Sequence, residues 1–392
     1  MNTMIETAIA AATMGSLALN AWHHAGFPIA MKLASRVMAA PAAVTLPAQA
    51  ELPEITVVMP AYNEAAHIAA KLRNLAAIDY AADRLHVLVA CDGCTDDTVA
   101  IARATLAETG CAHLDATVVD HTRNRGKVAV LNGTIAMVKT EVVVLTDVSA
   151  MLPADALLRA ATHFADPDLG AVGGTYRLNK PGSVGEANYW KYQVAVKRGE
   201  AAMGCPLGLH GAFYAFRRAA WAPLPADTIN DDFILPLEIF GRGWRVAYDE
   251  TIVAYEDEMT TAAQEISRRR RIAGGNAQQI IRLAWLLNPK FGGVALSFAS
   301  GKALRVAAPF LIVLGLLGSV VLAAGSAMFA TLAAMQIAGL LGAAAGALLG
   351  ASAPRALAVA RYAVAGHIAS ATGVVRYFSG AYAKPWRRDV LA

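Results

Sequence analysis

The chain has 392 residues, of which 56% are hydrophobic and only 16% are charged, against about 25% charged residues in an ordinary soluble domain. This shortage of charge indicates membrane-embedded segments rather than an unusually large soluble core. The formal net charge of +4 is too small to indicate binding to nucleic acid, and we expect no nucleic-acid partner.

Residues 1–50 are predicted to form an N-terminal membrane helix and a linker. The stretch from Thr7 to Met31 has no Asp, Glu, Lys or Arg and exceeds the roughly 20 residues that cross a bilayer. A cleaved signal peptide is disfavoured because Glu6, and no basic residue, precedes the stretch. Lys32 and Arg36 follow it, so the positive-inside rule predicts a cytoplasmic domain next. The alternative is an amphipathic helix lying in the membrane interface.

Residues 51–290 have the pattern of a soluble α/β domain. Short apolar runs rich in β-branched residues predict buried strands. These runs are 55–59, 86–90, 116–119 and 142–145. Helical patterns at 65–77 and 96–109 lie between them, which favours a mostly parallel sheet flanked by helices. Ligands bind beyond the carboxyl ends of the strands in such sheets, so we expect one site there.

Residues 291–392 return to a membrane-like composition. The segments 306–330 and 331–351 contain no charge and predict two membrane spans with both ends in the cytoplasm. A buried soluble hairpin is disfavoured. The segment 356–378 is weaker because Arg361 and two further ionisable residues interrupt it, and it is predicted to lie in the interface or line a cavity.

The first predicted strand ends in P-A-Y-N-E, which makes Pro60, Ala61, Asn63 and Glu64 candidate donor-binding residues. A polar turn at a strand end can bind a base and ribose through backbone groups and a carboxylate. The same turn is also consistent with an ordinary strand-to-helix loop.

The second predicted strand ends in C-D-G-C-T-D-D. Thr95 or Asp96 is explained as a cap of the next helix, but capping gives no reason for Asp92. Cys91 and Cys94 form a C-x-x-C, which is typical of a redox pair or half a zinc site. Two further ligands at suitable spacing are missing, so we interpret both cysteines as small side chains that flank Asp92.

Two further motifs carry candidate phosphate and metal chemistry. N-R-G-K offers Lys127 as a point charge for phosphate, and the fourth strand leads into T-D-V-S with Asp147. Asp92 and Asp147 at the ends of nearby strands suit a divalent cation that shares its coordination with a diphosphate. We therefore expect Mg²⁺ or Mn²⁺, which would neutralise charge on a departing nucleoside diphosphate.

These motifs, in this order, resemble the pattern of glycosyltransferase family 2. The resemblance continues in G-L-H-G-A-F-Y-A-F-R-R at 208–218, in N-D-D-F at 230–233 and in the arginine run 268–271, and it covers most of residues 55–310. It implies a GT-A-like fold in a membrane-bound, polysaccharide-synthase-like protein. The implied reaction is inverting, metal-dependent hexosyl or N-acetylhexosaminyl transfer from a nucleotide sugar, expected to be a UDP-sugar. The implied acceptor is lipid-linked or a growing polysaccharide, at the cytoplasmic face of the membrane.

The resemblance also implies roles for single residues. Asp232, with Asp231 beside it, matches the catalytic base, which needs only to be a carboxylate within hydrogen-bond reach of the acceptor hydroxyl. Asp147 matches the first Asp of the D-x-D metal motif, and Asp92 would lie near the nucleotide. Arg271 matches the Arg of Q-x-x-R-W, whose guanidinium suits a pyrophosphate.

Three positions depart from the family pattern. Ser149 replaces the second Asp of D-x-D, so metal binding is expected to depend more on Asp147 and on donor oxygens. In Q-x-x-R-W, Arg268 replaces the Gln and Ile272 replaces the Trp that helps to seat a growing polymer. A single-addition enzyme that makes a glycolipid is therefore an alternative to a polymerase. Anionic lipid headgroups are an alternative partner for the arginine run.

His210, Tyr189 and Trp190 are candidate contacts for a lipid-linked or oligosaccharide acceptor. An ordinary loop histidine and a helix packed on the core explain them equally well. A membrane-anchored dehydrogenase-like enzyme is disfavoured, because no G-x-G-x-x-G follows the first strand. A catalytically impaired partner subunit of a synthase complex stays a further alternative.

Overall fold

The computed structural model describes residues 3–37, 52–178, 184–256 and 262–382, with side chains described except at 184–191 and 262–265. The chain divides into two compact units. The sheet unit comprises Leu33–Thr260 and Tyr382–Ala392, and the helical unit comprises Met1–Lys32 and Thr261–Ala381. The predicted boundaries at 50 and 290 stay predictions.

The sheet unit is built on an eight-stranded mixed sheet within the described ranges. The strands are β1 Ile55–Ala61, β2 Leu85–Asp92, β3 Asp115–His121, β4 Val142–Leu145, β5 Ala150–Met151, β6 Leu169–Leu178, β7 Tyr214–Arg217 and β8 Arg245–Glu256. Their order is β3-β2-β1-β4-β7-β6-β8-β5. The pairs β1/β2, β2/β3, β1/β4 and β6/β8 are parallel, whereas β4/β7, β6/β7 and β5/β8 are antiparallel. The α/β fold class is thereby confirmed.

Thirteen α-helices of four or more residues accompany the sheet within the described ranges. They are α1 Thr3–Ala21, α2 Phe27–Val37, α3 Ile68–Ala76, α4 Thr98–Leu106, α5 Lys127–Met137, α6 Ala156–His163, α7 Val184–Ala202, α8 Asp231–Gly241, α9 Ala262–Arg282, α10 Gly293–Ser297, α11 Leu304–Leu322, α12 Ala327–Leu349 and α13 Arg355–Phe378. All seven residues of the interior strand β1 are buried, and all but Thr56 are apolar, as is typical of a strand with both faces covered.

Among the described residues, three helices are long and apolar enough to cross a membrane: Thr3–Arg36, Gly293–Leu322 and Ala327–Ser352. They belong to the helical unit, apart from the last four residues of the first one. The first two are continuous through π-helical turns at Trp22–Gly26 and Phe298–Ala303. The turn between the second and third falls at 323–326, earlier than the predicted division at 330. Helix α13 covers the weaker segment and is not one of these three candidates.

Glycine allows close helix packing inside the helical unit. A Cβ at Gly318 of α11 would lie 1.9 Å from Thr13 Oγ1 of α1, and one at Gly346 of α12 would lie 2.4 Å from the Leu357 carbonyl oxygen of α13. Small residues let helix backbones approach in this way when the surroundings are lipid.

Candidate active site

The carboxyl ends of β1, β2 and β4 lie side by side and deliver the predicted polar loops to one edge of the sheet. Pro60 and Ala61 are the last residues of β1 and are buried. Asn63 follows in the left-handed region with φ 55°, which Asn tolerates better than most residues. Its side-chain oxygen accepts from the Thr95 amide at 2.8 Å, and its nitrogen donates to Thr95 Oγ1 at 3.1 Å. Asn63 therefore ties the loop after β1 to the loop after β2.

Glu64 shapes the entrance to α3 through its backbone. Its amide donates to Thr98 Oγ1 at 2.7 Å, and its carbonyl oxygen accepts from the amides of His67 and Ile68. Helix α3 consequently begins at Ile68, three residues later than the sequence pattern predicts. The half-buried carboxylate of Glu64 lies in the same polar loop.

Asp92 is only 1% exposed and organises the N-R-G-K loop. Its Oδ1 accepts from the Arg125 amide at 2.7 Å and its Oδ2 from the Gly126 amide at 2.8 Å. Helix α5 begins directly afterwards at Lys127. Asp92 thus fixes the position of the backbone from which the Lys127 side chain extends.

Four charged side chains meet next to Gly211. Lys127 Nζ lies 3.3 Å from Asp147 Oδ1 and 3.5 Å from Asp231 Oδ2. A Cβ at Gly211 would lie 3.3 Å from Asp147 Oδ2 and 3.6 Å from Asp232 Oδ2. The absence of a side chain at Gly211 therefore lets the Asp147 and Asp232 carboxylates converge. We call these four charged residues the carboxylate centre.

The two neighbouring aspartates at the start of α8 have different surroundings. Asp231 is buried and lies within ion-pair distance of Lys127. Asp232 is half-buried and faces Gly211, and its backbone oxygen accepts from the Leu209 amide at 2.8 Å. Asp232 is the more accessible carboxylate of the pair.

Comparison with known proteins identifies the family of this chain. The family model described as "Glycosyltransferase like family 2" matches residues 53–275, more than half of the chain. The chain belongs to this family. The family prediction made from the sequence is confirmed, and with it the prediction of a glycosyltransferase.

Relatives of this family member include β-monoglucosyldiacylglycerol synthases from Synechocystis sp. and Nostoc sp., both 26% identical to it, over 251 and 246 residues. The alignments cover 58% and 59% of this chain. They cover 49% and 51% of the relatives, so the chain spans about half the length of the curated relatives it matches.

A solved structure is similar over almost the whole chain. The mannosyltransferase from Pyrobaculum calidifontis, in complex with GDP-Man and Mn²⁺, is 25% identical with a TM-score of 0.71. The match covers 94% of this chain and 99% of the mannosyltransferase. The GT-A-like fold predicted from the sequence is confirmed.

Sequence reasoning missed a fully buried lysine beside the T-D-V-S motif. Lys71 of α3 donates to Thr146 Oγ1 at 2.9 Å and to the Ala150 carbonyl oxygen. It thereby joins both ends of the turn that carries Asp147. Burial lowers the pKa of Lys71 to about 7, against an opposing effect of Asp147. The missed signal is Lys71's place on the apolar face of its helix, one residue before the buried Leu72.

A second buried lysine, Lys197 of α7, supports the other side of the centre. Its ammonium donates to the Leu207 carbonyl oxygen at 2.6 Å and to that of Gly208. Leu209 follows, and its amide binds the Asp232 backbone. Burial lowers the pKa of Lys197, while nearby acids, including Asp232, oppose that shift.

Ser149, the residue in place of the second Asp of D-x-D, is engaged with a carboxylate that the sequence did not single out. Its hydroxyl donates to Glu256 Oε1, and the Tyr176 hydroxyl donates to Glu256 Oε2. The pairing of β5 with β8 places Glu256 opposite Ala150. No local motif links positions that are over a hundred residues apart, which is why sequence reasoning missed Glu256.

The two cysteines of the C-x-x-C are free thiols, with Cys91 in β2 and Cys94 in the loop that follows the strand. A hydrogen bond with Cys91 lowers the pKa of the half-buried Cys94, and the same bond raises that of Cys91. Within the described ranges, no group of three or more His, Cys, Asp or Glu residues has the arrangement of a metal site.

The remaining predicted residues lie elsewhere or outside the description. His210 is half-buried beside the ring of Tyr176, with 6.1 Å between ring centroids. Tyr189 and Trp190 belong to α7, but their side chains lie outside the described residues. Arg271 is exposed on α9 of the helical unit, and its contact with pyrophosphate stays a prediction.

The donor set of the carboxylate centre fits a divalent cation that is held jointly with a diphosphate. Mg²⁺ and Mn²⁺ prefer oxygen ligands, and Mg²⁺ is usually bound by one or two carboxylates together with substrate phosphates. Asp147 supplies one carboxylate at the edge of the sheet, and Asp232 faces it across Gly211. A cage made by protein ligands alone is not needed for that coordination.

Proposed function

We propose that this chain transfers one hexose from a nucleotide sugar to the hydroxyl group of a lipid acceptor, with inversion at the anomeric carbon. The observation that carries the proposal is the convergence of Asp147 and Asp232 on Gly211. One carboxylate suited to a cation and another suited to a proton lie close together beyond the strand ends, where α/β sheets bind their ligands.

The four charged residues would have separate roles in this reaction. Asp232 would take the proton of the acceptor hydroxyl. The hydroxyl oxygen of the acceptor would bond to the anomeric carbon while the bond from that carbon to the diphosphate breaks. Buried Asp231 would hold Lys127, whose ammonium would contact the diphosphate as a point charge. Asp147 would bind Mg²⁺ or Mn²⁺, which when bound neutralises charge on the leaving diphosphate.

The loops after β1 and β2 would hold the nucleoside. Asn63 and Thr95 join these two loops, and the backbone of Pro60 and Ala61 with the carboxylate of Glu64 would contact base and ribose. Asp92 would act mainly by fixing the N-R-G-K loop, because both of its oxygens accept backbone amides there. Arg271 would contact the pyrophosphate through its guanidinium.

The acceptor proposal draws on the comparisons. The curated relatives are named β-monoglucosyldiacylglycerol synthases, which supports a glycolipid product. Ile272 in place of the Trp of Q-x-x-R-W also favours single addition over a growing polysaccharide. We propose a UDP-sugar as the donor; the mannosyltransferase bound to GDP-Man makes a GDP-sugar the second candidate. His210, Tyr189 and Trp190 would be acceptor contacts.

The three apolar helices of the helical unit support a membrane protein, whose lipids would be its surroundings and supply its acceptor. Lys32 and Arg36, near the carboxyl end of the first candidate span, favour a cytoplasmic catalytic domain by the positive-inside rule.

The test is transfer by the purified full-length protein with diacylglycerol in mixed micelles, Mn²⁺, and UDP- or GDP-hexoses supplied singly. Release of nucleoside diphosphate and formation of glycolipid are measured together. Asp232→Asn should lower transfer at least about 1,000-fold, as losing an essential proton acceptor does, while donor binding measured by thermal shift is kept.

Asp168→Asn, at an exposed carboxylate, is the matched control and should transfer normally. Full transfer by the Asp232→Asn variant would remove Asp232 from the role of base. A product that gains many sugars would support the polysaccharide alternative instead.

A further inference from the structure

The charge of the helical unit is strongly unbalanced. Residues 1–32 and 261–381 contain twelve Lys and Arg residues, but their only acids are Glu6 and Glu265, which leaves a net charge of +10. The whole chain carries +4, so the rest of the chain carries −6. The cations of the helical unit cannot be neutralised by its own carboxylates.

Some of these cations have partners inside the unit. The Arg269 guanidinium lies over the ring of Tyr362, 4.2 Å from its centroid. The Arg361 guanidinium lies 3.4 Å from the carbonyl oxygens of Gly346 and Gly350 at the end of α12. Arg269 and Arg361 therefore already have interaction partners within the helical unit.

Arg305 is a cation of the helical unit that lacks a partner of this kind among the described residues. It lies at the start of α11, one residue beyond Leu304, and is half-buried. Within the described ranges it makes no hydrogen bond to another residue and no ion pair with a carboxylate. It does act electrostatically on the rings of His23 and His24.

Three histidine rings form a cluster, and two of them, His23 and His24, lie within electrostatic range of Arg305. The ring of His24 stands edge-on to those of His23 and His367, with centroids 4.8 Å and 5.1 Å away. His23 is satisfied, because its Nδ1 donates to the Ser300 carbonyl oxygen at 2.9 Å. In the part of the chain that the structure describes, His24 and His367 make no hydrogen bond, so their ring nitrogens are available to a ligand.

The backbone at this place is irregular on both sides. His23 and His24 lie in the π-helical turn of the first span, and Ser300 lies in the π-helical turn before α11. The Trp22 indole also donates to Ser300 Oγ at 2.9 Å, which locks the two turns together. Such single π-helical turns occur frequently at functional sites.

We propose that Arg305, His24 and His367 bind the phosphate of an anionic membrane phospholipid. The proposal rests on the proposed membrane embedding of the helical unit and not on the transfer reaction. Ionisable groups among apolar helices are costly unless a partner is present. A guanidinium fork and imidazole N–H groups suit phosphate oxygens, and basic pockets between membrane helices bind anionic headgroups.

The experiment uses the full-length protein in a neutral detergent, titrated with phosphatidylglycerol, with phosphatidylcholine, or with glycerol 3-phosphate. Thermal unfolding gives the apparent affinity, since a ligand of the native state raises the midpoint. Native mass spectrometry counts the bound lipids. Of the three ligands, only phosphatidylglycerol should raise the unfolding midpoint and remain bound in the mass spectrum.

Arg305→Gln should weaken phosphatidylglycerol binding about tenfold, as expected for the loss of one charge-assisted hydrogen bond. Arg305→Lys, which keeps the charge but not the fork, should give an intermediate affinity and guards against a folding defect of the first variant. Arg355→Gln is the matched control, because it removes the same charge from an exposed position of the helical unit. It should bind as the wild type does.

Three results would overturn the proposal. Equal stabilisation by phosphatidylcholine would remove the need for an anionic headgroup, and equal stabilisation by glycerol 3-phosphate would show a free-phosphate site. A loss in Arg355→Gln as large as in Arg305→Gln would show diffuse attraction to net charge. Because the readout is lipid binding, absence of sugar transfer leaves this result unaffected.

Discussion

The Lys127 ammonium lies 3.3 Å from an Asp147 carboxylate oxygen. A single lysine therefore balances part of the charge on the carboxylate proposed to bind the metal, and it reaches Asp231 at 3.5 Å as well. The side chain of Asp147 is 42% exposed, whereas that of Asp231 is 9% exposed. Lys127 thus lies between an open carboxylate and a buried one.

Lys127→Met should have opposite effects on metal binding and on transfer. Without the ammonium, Asp147 attracts Mn²⁺ more strongly, so Mn²⁺ binding in the absence of donor should tighten several-fold. Transfer should fall roughly 10- to 100-fold, because charge on the diphosphate is no longer stabilised. Isothermal titration calorimetry and transfer assays measure the two effects. Lys139→Met, at an exposed position of the sheet unit, is the control, and weaker Mn²⁺ binding in Lys127→Met would contradict this account.

Gly211→Ala should separate activity from folding. The added Cβ would lie 3.3 Å from Asp147 Oδ2 and 3.6 Å from Asp232 Oδ2, so one carboxylate must shift by a few tenths of an ångström. Transfer should drop at least about tenfold, because small misplacements of reacting groups are costly, while the unfolding midpoint changes little. Gly110→Ala, where a Cβ meets nothing within 4 Å, should have wild-type transfer. Normal transfer in Gly211→Ala would show that the two carboxylates need not converge.

The D-x-D motif cannot be restored by one substitution. Ser149→Asp would place a second carboxylate next to that of Glu256, which in the wild type accepts a hydrogen bond from the Ser149 hydroxyl. Two like charges at hydrogen-bond distance repel each other, so the variant should be less stable by about 1 to 3 kcal/mol and should not bind Mn²⁺ more tightly. Adding Glu256→Gln should recover the stability and then tighten Mn²⁺ binding. Chemical denaturation and calorimetry measure both, and a stable, tighter-binding single variant would contradict the prediction.

Local pattern predicted the scaffold of this molecule well. The run Val142–Leu145 has the same bounds as β4, and β1 and β2 contain the runs predicted for them, because buried parallel strands are largely apolar. β3 also contains its predicted run, but the prediction of burial is wrong there, because β3 lies at the edge of the sheet and none of its residues is buried. The positions of the loops at the strand ends could be predicted equally well, because polar residues directly follow those apolar runs. This pattern made Asp92, Lys127 and Asp147 candidate site residues.

Contacts between distant parts of the chain could not be predicted from the sequence. Lys71 resembles any helical lysine until the turn from Thr146 to Ala150 is placed above it. Glu256 gains its meaning only when β8 pairs with β5. Motif reasoning also placed Asp92 beside the nucleotide, whereas the structure adds that its carboxylate holds a protein loop.

Two buried tyrosines of the sheet unit should respond oppositely to loss of the hydroxyl. The Tyr214 hydroxyl is buried and has no hydrogen-bond partner among the described residues. Burial raises its pKa well above the usual value, and the charges of Asp231, Asp232 and Asp147 add to that effect. An unsatisfied buried polar group is costly, so Tyr214→Phe should leave the free energy of unfolding unchanged or raise it by up to about 1 kcal/mol.

Tyr248→Phe is the matched comparison. The Tyr248 hydroxyl is hydrogen-bonded to Thr175 Oγ1 at 2.8 Å, so its removal should lower the free energy of unfolding by about 1 to 2 kcal/mol. Denaturant titration of the two variants measures both values. A clear loss of stability in Tyr214→Phe would mean that its hydroxyl has a partner in solution.

Cys94 offers a test of membrane orientation. Cys91, Cys111 and Cys205 are buried and Cys94 is half-buried, so Cys94 should react first with a membrane-impermeant maleimide. The hydrogen bond from Cys91 lowers the pKa of Cys94 to about 7, and the thiolate is the reactive form. Labelling should therefore rise as pH increases through about 7 and be substantial at neutral pH, whereas Cys91→Ala should require a higher pH.

With the sheet unit in the cytoplasm, inside-out vesicles should be labelled at Cys94 and intact spheroplasts should not. Cys94→Ser should remove most of the label and serves as the control. The expected asymmetry follows from Lys32 and Arg36, which lie near the carboxyl end of the first candidate span and resist translocation. Labelling of intact spheroplasts to the same extent would place Cys94 outside, and the nucleotide-sugar donor proposed for this loop would then have to reach it from the outside.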